Sequence, residues 1–181
     1  MLISEPYRAL CAEMHRRRLA YGSSGKRFAP TVARLIGEWG CETVLDYGCG
    51  KGDLARELKM LGTRAAQYDP AIPDHSTAPG GADLVVCADV LEHVEPECLD
   101  AVLGDLRRLT RMGIYLAVGI GPADKVMPDG TNAHRIIQPM EWWLPKLDCY
   151  WKRVHAELLP RYEAPRKPPV DFEYVGRADH A

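Results

Sequence analysis

Val44-Leu-Asp-Tyr-Gly-Cys-Gly-Lys-Gly-Asp53 joins a short apolar run to a helical one through three closely spaced glycines. Residues 43–46 read as a buried strand, and Leu54, Leu58 and Leu61 recur at helical spacing until Gly62 stops them. A strand, a glycine turn and a helix in that order place the turn at a strand's carboxyl end, where open α/β sheets bind their ligands. Glycine removes the Cβ that would hold a ligand away from the backbone. Asp46 stands just before the first glycine and suits a ligand ammonium better than a pyrophosphate. The spacing is G-x-G-x-G and not the G-x-G-x-x-G of dinucleotide folds, so hydride transfer with NAD is a third-rank reading.

Outward from this loop, strands alternate with helices. Toward the amino end, Tyr7, Leu10, Cys11 and Met14 predict an amphipathic helix over 6–20, broken by Tyr21-Gly-Ser-Ser-Gly25. Val32, Leu35, Ile36 and Trp39 predict a second, with Pro30 in its first turn and Gly40 at its stop. Toward the carboxyl end, strands are expected at 65–68, 84–87 and 114–118, with a strong helical stripe at Leu99, Val102, Leu103, Leu106 and Leu109. A short helix over 140–147 precedes two strands, 150–158 and 171–175, joined by a Pro-rich loop over 160–169. This order predicts an α/β fold, a mostly parallel sheet with helices on both faces and an antiparallel hairpin at its edge. It predicts one domain, 1–181, with 1–27 as an N-terminal helix and lid-like extension.

The bulk properties agree with a soluble domain. Hydrophobic residues make up 46% and charged residues 27%, and the net charge of -2 gives no general pull toward nucleic acid or anionic lipid. No apolar run approaches the roughly 20 residues of a membrane span, and the first residues lack the features of a signal peptide. The six cysteines, with no C-x-x-C pair, read as reduced and mostly buried. The expected location is cytoplasmic, with no membrane partner.

The second clue is Tyr68-Asp69, about 20 residues after the glycine loop. A carboxylate at a strand end there can accept hydrogen bonds from both ribose hydroxyls of a nucleoside. With it, the segment Ala82-Asp-Leu-Val-Val-Cys-Ala-Asp-Val-Leu-Glu-His-Val94 completes a pattern. Residues 28–176 resemble the class I methyltransferases that use S-adenosylmethionine (SAM): 44–52 is similar to their glycine motif, Tyr68-Asp69 to their ribose-binding position and 82–94 to their strand-four motif. The resemblance implies a Rossmann-like fold and a cofactor site made by Asp46, Tyr47, Gly48, Cys49, Gly50, Tyr68, Asp69, Pro70 and Ala88. Asp46 would hold the amino group, the backbone around Gly48 and Gly50 the amino-acid part, and Ala88 would lie near the ligand. This chain departs from the family after Asp69, where about a dozen residues, rich in Pro, Gly and Ser, stand in place of the usual helix and third strand.

Asp89, Glu92 and His93 follow the fourth strand of the family pattern at i, i+3 and i+4, a spacing that puts three side chains on one face of a helical turn. Two carboxylates and an imidazole so placed are a candidate metal site; the alternative is an Asp cap and structural contacts. The segment is similar to the Glu-x-x-Glu-His motif of the small-RNA 2'-O-methyltransferases and the ubiquinone-pathway O-methyltransferases, with Asp89 in the first position. The former also use a downstream His, for which His134 is the candidate. The expected metal ligands are therefore Asp89, Glu92, His93 and His134, with Mn, Fe, Co or Zn suited to such donors better than Mg. Without a metal, His93 or His134 would act as general base.

The expected activity is methylation of a small-molecule hydroxyl, with metal assistance. Two other readings stand beside it. One is a nucleic-acid (ribose 2'-O) methyltransferase, using the basic cluster His15-Arg16-Arg17-Arg18 and the aromatics Trp142 and Trp143. The other is a SAM-binding partner protein without catalysis. The Asn/Asp-Pro-Pro-Tyr/Phe signature of amino-methylating DNA enzymes is absent, because the strand ends in Cys-Ala-Asp-Val.

Overall fold

The computed structural model of the chain describes residues 1–18, 21–159 and 171–178. Its centre is a six-stranded sheet of order β2-β1-β3-β4-β6-β5. The strands are β1 (Thr43–Tyr47), β2 (Arg64–Tyr68), β3 (Ala82–Ala88), β4 (Thr110–Gly119), β5 (Lys152–Leu159) and β6 (Asp171–Arg177). β2, β1, β3 and β4 pair in parallel, while β6 runs antiparallel to both β4 and β5. The closing hairpin is where the sequence predicts it. The Pro-rich connection expected over 160–169 lies outside the described residues, as do residues 19–20 of the predicted first helix.

Helices cover both faces, which is why β3 and β4 read as near-continuous apolar runs. On one face lie α2 (Ala29–Trp39) and α3 (Asp53–Met60), burying Val32, Leu35, Leu54 and Leu58 against Val44, Val86 and Tyr115. On the other lie α4 (Leu99–Leu109) and α5 (Met140–Asp148), burying Leu103, Leu106, Trp143 and Leu147 against Leu45, Val85 and Leu116. The stripe of α4 is the predicted one. β4 begins at Thr110, four residues before the predicted strand, because α4 passes into it with no intervening loop; the Thr110 hydroxyl donates to the Leu106 carbonyl at 2.7 Å.

A third apolar group lies over the carboxyl ends of the strands. α1 (Glu5–Arg17) packs Tyr7, Cys11 and Met14 with Tyr21, Ala71, Met127 and Ala133. Ser4 caps this helix by accepting the Tyr7 N–H at 3.3 Å. Its own N–H and hydroxyl donate to Glu95 at 2.8 and 2.6 Å, and the Tyr7 hydroxyl donates to the His93 carbonyl at 2.8 Å. The helix is thus tied to the segment that follows β3.

Between β2 and β3 there is one 3₁₀ turn, Pro73–His75, and no strand. β2 is therefore an edge of the sheet, in agreement with the short connection read from the sequence. Cys11, Cys41, Cys49, Cys87 and Cys98 are buried, and Cys149 is exposed. No helix of the described residues is long and apolar enough to cross a membrane.

Candidate active site

The glycine loop sits at the carboxyl end of β1, pinned to the neighbouring strand. The Tyr68 carbonyl accepts the N–H of Gly48 at 2.7 Å and of Cys49 at 3.0 Å. Asp69 is buried and accepts the Gly50 N–H at 3.0 Å and the Ala71 N–H at 2.9 Å. Asp46 is also buried and accepts the Ala55 N–H, in the first turn of α3, at 3.3 Å. Burial pushes its carboxyl up to about 7, partly offset by that N–H. Tyr47 turns its ring away from the loop, its hydroxyl donating to Asp105 at 3.1 Å, so only its backbone faces the site. The predicted positions 46–50, 68–70 and Ala88 thus line one mouth of the sheet.

Beyond β3 the chain makes a sharp turn. Asp89 has φ +57°, a left-handed backbone that no other non-glycine among the described residues adopts. Its N–H donates to the Ala117 carbonyl at 2.9 Å, and Leu91–His93 then form one turn of 3₁₀ helix. The sequence argument that put Asp89, Glu92 and His93 on one helical face assumed helical backbone at Asp89. The left-handed residue redirects its side chain, and the carboxylate meets Arg27 at 2.8 Å and the Ser24 hydroxyl at 2.8 Å.

Glu92, His93 and His134 do converge, each offering an oxygen or nitrogen within 4.8 Å of the others. Residues 120–139 bring His134 back, anchored by the Glu92 carbonyl, which accepts the N–H of Arg135 at 2.7 Å and of Ile136 at 3.0 Å. Gly119 makes room for this return, since a Cβ there would lie 2.7 Å from the His134 ring and 2.9 Å from Glu92 Oε1. His93 Nδ1 lies 2.8 Å from the Ala133 carbonyl, and His134 Nδ1 lies 2.6 Å from the Gly121 carbonyl. A carbonyl can only accept, so both rings carry a proton on Nδ1 and, when neutral, offer Nε2 as a bare lone pair.

Glu92 is 1% exposed; its Oε1 accepts the Gly119 N–H at 3.0 Å, while its Oε2 is buried without a partner. Burial, with the Asp89 charge nearby, pushes the carboxyl up to about 8. Burial, with His134 beside it, holds His93 down at about 4.

Sequence reasoning missed what lies across this mouth. His15, part of the predicted basic cluster, turns inward with Nε2 3.9 Å from Asp69, and its Nδ1 is buried without a partner. Tyr21 is buried with its ring centroid 4.8 Å from His15 and 6.2 Å from His93. Both lie in stretches with a sequence signal, but His15 read as part of a basic cluster and the Tyr21-Gly-Ser-Ser-Gly25 run as a helix break.

Residues 6–153 match the family model of the methyltransferase domain. The chain belongs to this family, the class I SAM-dependent methyltransferases. Among curated proteins none matches it in sequence. Among solved structures, this methyltransferase is similar to 1,6-didemethyltoxoflavin-N1-methyltransferase of Burkholderia thailandensis, which contains S-adenosylhomocysteine (SAH). The TM-score is 0.69 at 17% identity, over 98% of this chain and 91% of that one. The PH0226 protein of Pyrococcus horikoshii gives 0.66 at 15%, over 92% and 99%. Magnesium protoporphyrin IX methyltransferase of Synechocystis with SAM gives 0.64 at 15%, over 96% and 97%. At such identities the likeness is one of fold. The methyltransferase is an enzyme with the Rossmann-like sheet expected from the sequence.

Proposed function

We propose that this methyltransferase transfers the methyl group of SAM to a hydroxyl of a small-molecule acceptor, assisted by a divalent metal held by Glu92, His93 and His134. The observation that carries the reading is the convergence of these three side chains beside the glycine loop, with Glu92 Oε2 buried and unpartnered.

Asp69 would hold the ribose, since each of its oxygens keeps lone pairs beyond those used by Gly50 and Ala71. The backbone of 47–50 would cradle the amino-acid part, Asp46 would face the ammonium, and Tyr68, Pro70 and Ala88 would line the cleft. An ammonium beside Asp46 would also favour its charged form, against the burial that raises it.

The donor set fits a metal on three counts. Two imidazoles are fixed by carbonyls at Nδ1 and bare at Nε2, the second-layer arrangement that metal-binding histidines use. His93 stays unprotonated down to about pH 4. The orphaned Glu92 oxygen lacks the partner that a buried carboxylate requires. Two nitrogens and one oxygen suit Mn, Fe, Co or Zn before Mg. Asp89, on Arg27 and Ser24, would reach this set only on leaving them. When bound, such an ion lowers the pKa of an acceptor hydroxyl and fixes its position. Without one, the bare Nε2 of His134 is the group placed to take the hydroxyl proton, His93 being too weak a base at about 4.

Transfer to a nucleic acid is the less favoured reading. Its basic cluster is dispersed, with His15 turned inward and Arg17 paired to Glu13 at 2.5 Å, and Trp143 is wholly buried.

Calorimetry tests the cofactor site directly. SAH should bind the wild type, and Asp69→Ala should weaken it by about 1–3 kcal/mol through lost charge-assisted bonds. No binding to folded wild type would remove the site, and unchanged affinity in folded Asp69→Ala would remove Asp69 from it.

A further inference from the structure

Residues 21–28 cross the mouth of the sheet as a strap between the glycine loop and the Glu92–His93–His134 group. At one end the Gly22 carbonyl accepts the Lys51 N–H at 2.8 Å. The approach is so close that a Cβ on Gly50, itself at φ +52°, would lie 2.5 Å from that oxygen. Next to Gly22, Tyr21 is buried between the His15 and His93 rings, with centroids 4.8 and 6.2 Å away. At the other end Arg27 Nη2 donates to both oxygens of Asp89, at 2.8 and 2.9 Å, and lies 3.6 Å from Asp171. Ser24 adds its hydroxyl to Asp89. Phe28 then buries beside Tyr115, their ring centroids 6.0 Å apart.

Two of these facts belong together. The left-handed backbone at Asp89 is one an L side chain adopts at a cost, and such residues persist where the surroundings over-determine them. The turn directs its carboxylate onto the strap. Meanwhile Tyr21 packs edge-on between His15, which faces Asp69, and His93, so the strap lies over the space between the proposed ribose carboxylate and the metal group.

We propose that Arg27 is a positioning residue of the enzyme: through its ion pair with Asp89 it latches the strap over the cofactor cleft, and the latch must open to admit SAM and release SAH. This rests on the cofactor reading above. The closed strap covers the cleft, and the same carboxylate that fastens it sits beside the metal group. Opening therefore frees Asp89 and uncovers His93 in one movement, and reclosure over bound cofactor restores both.

Chymotrypsin cleavage after Tyr21 measures strap opening without any ligand, because proteolysis follows the population of the open form. In Arg27→Met that cleavage should rise about fivefold, the scale of a partly exposed ion pair in which one guanidinium nitrogen serves both carboxylate oxygens, and Arg27→Lys should restore most of the protection. Association and dissociation rates of SAH should both rise in Arg27→Met, by similar factors, leaving its affinity little changed. Wild-type cleavage and SAH rates in folded Arg27→Met would overturn the proposal. So would an equal acceleration of cleavage at the buried Tyr115 and Tyr174, which reports unfolding of the whole chain. Arg27→Lys as labile as Arg27→Met would also overturn it, by assigning the effect to the guanidinium packed 4.6 Å over the Phe28 ring. If the wild type binds no SAH, the cofactor reading fails while the cleavage comparison still decides the latch.

Discussion

In Glu92→Gln the unfolding midpoint will no longer fall as pH rises from 4.5 toward 8, and affinity for Mn(II) or Zn(II) will drop about 100-fold or more. The sign follows from the raised carboxyl. The folded wild type keeps the Glu92 proton up to about pH 8, while the unfolded chain releases it near 4.5. Its stabilising contribution is therefore complete below 4.5 and lost as pH climbs through 8. Gln keeps the oxygen that accepts from Gly119 and cannot ionise, so at pH 8 the metal-free variant should exceed wild type by about 1–3 kcal/mol. His93 acts in the opposite direction. Its lowered pKa gives stability present above 6.5 and lost as pH falls toward 4, and that slope should survive in Glu92→Gln. Urea titrations across pH with chelator, and metal calorimetry without it, separate the two effects. A variant that keeps the wild-type pH slope and metal affinity would show that Glu92 is neither buried as described nor a ligand.

Trp143→Ala should cost about 3–5 kcal/mol, the range for emptying a core indole site. Among the described residues Trp143 is the largest fully buried side chain, and it shares its apolar cluster with Leu91 and Ile136, close in the chain to Glu92 and His134. The informative partner is Trp143→Phe. The indole N–H is buried without an acceptor, so its removal recovers desolvation free energy of about 1–3 kcal/mol. That gain offsets much of the lost apolar contact, and the variant should fall below about 1.5 kcal/mol. Denaturant midpoints at constant m-value measure both. A Phe variant as unstable as the Ala variant would mean that the indole N–H has a partner.

Elements with strong periodicity were legible in the sequence because burial imposes the period. Leu99, Val102, Leu103, Leu106 and Leu109 had to face a sheet, and they do. The glycine loop and Asp69 were legible because close backbone approach and a paired buried carboxylate leave few other residue choices. Asp89 was not, because i, i+3, i+4 spacing carries meaning only on helical backbone and its φ is positive. His15 was read only as part of a basic cluster, and Arg27 gave no signal. Their partners, Asp69 and Asp89, are 54 and 62 residues away in the chain, and periodicity contains no information about such pairs. His134 was named through the resemblance to enzymes with a downstream His, and Gly119 explains how it fits beside Glu92.

The missing strand after Asp69 has a consequence for how this enzyme can diversify. Residues 69–81 join β2 to β3 with a single 3₁₀ turn, and β2 has no strand on its outer side. Lengthening such a connection costs loop-closure entropy that grows only logarithmically, and no existing strand pairing must be rearranged. The wall beyond Asp69 is thus the cheapest part of the molecule to rebuild. Insertions there can change what the cleft accepts while the glycine loop, the strap and the Glu92, His93 and His134 side chains keep their register.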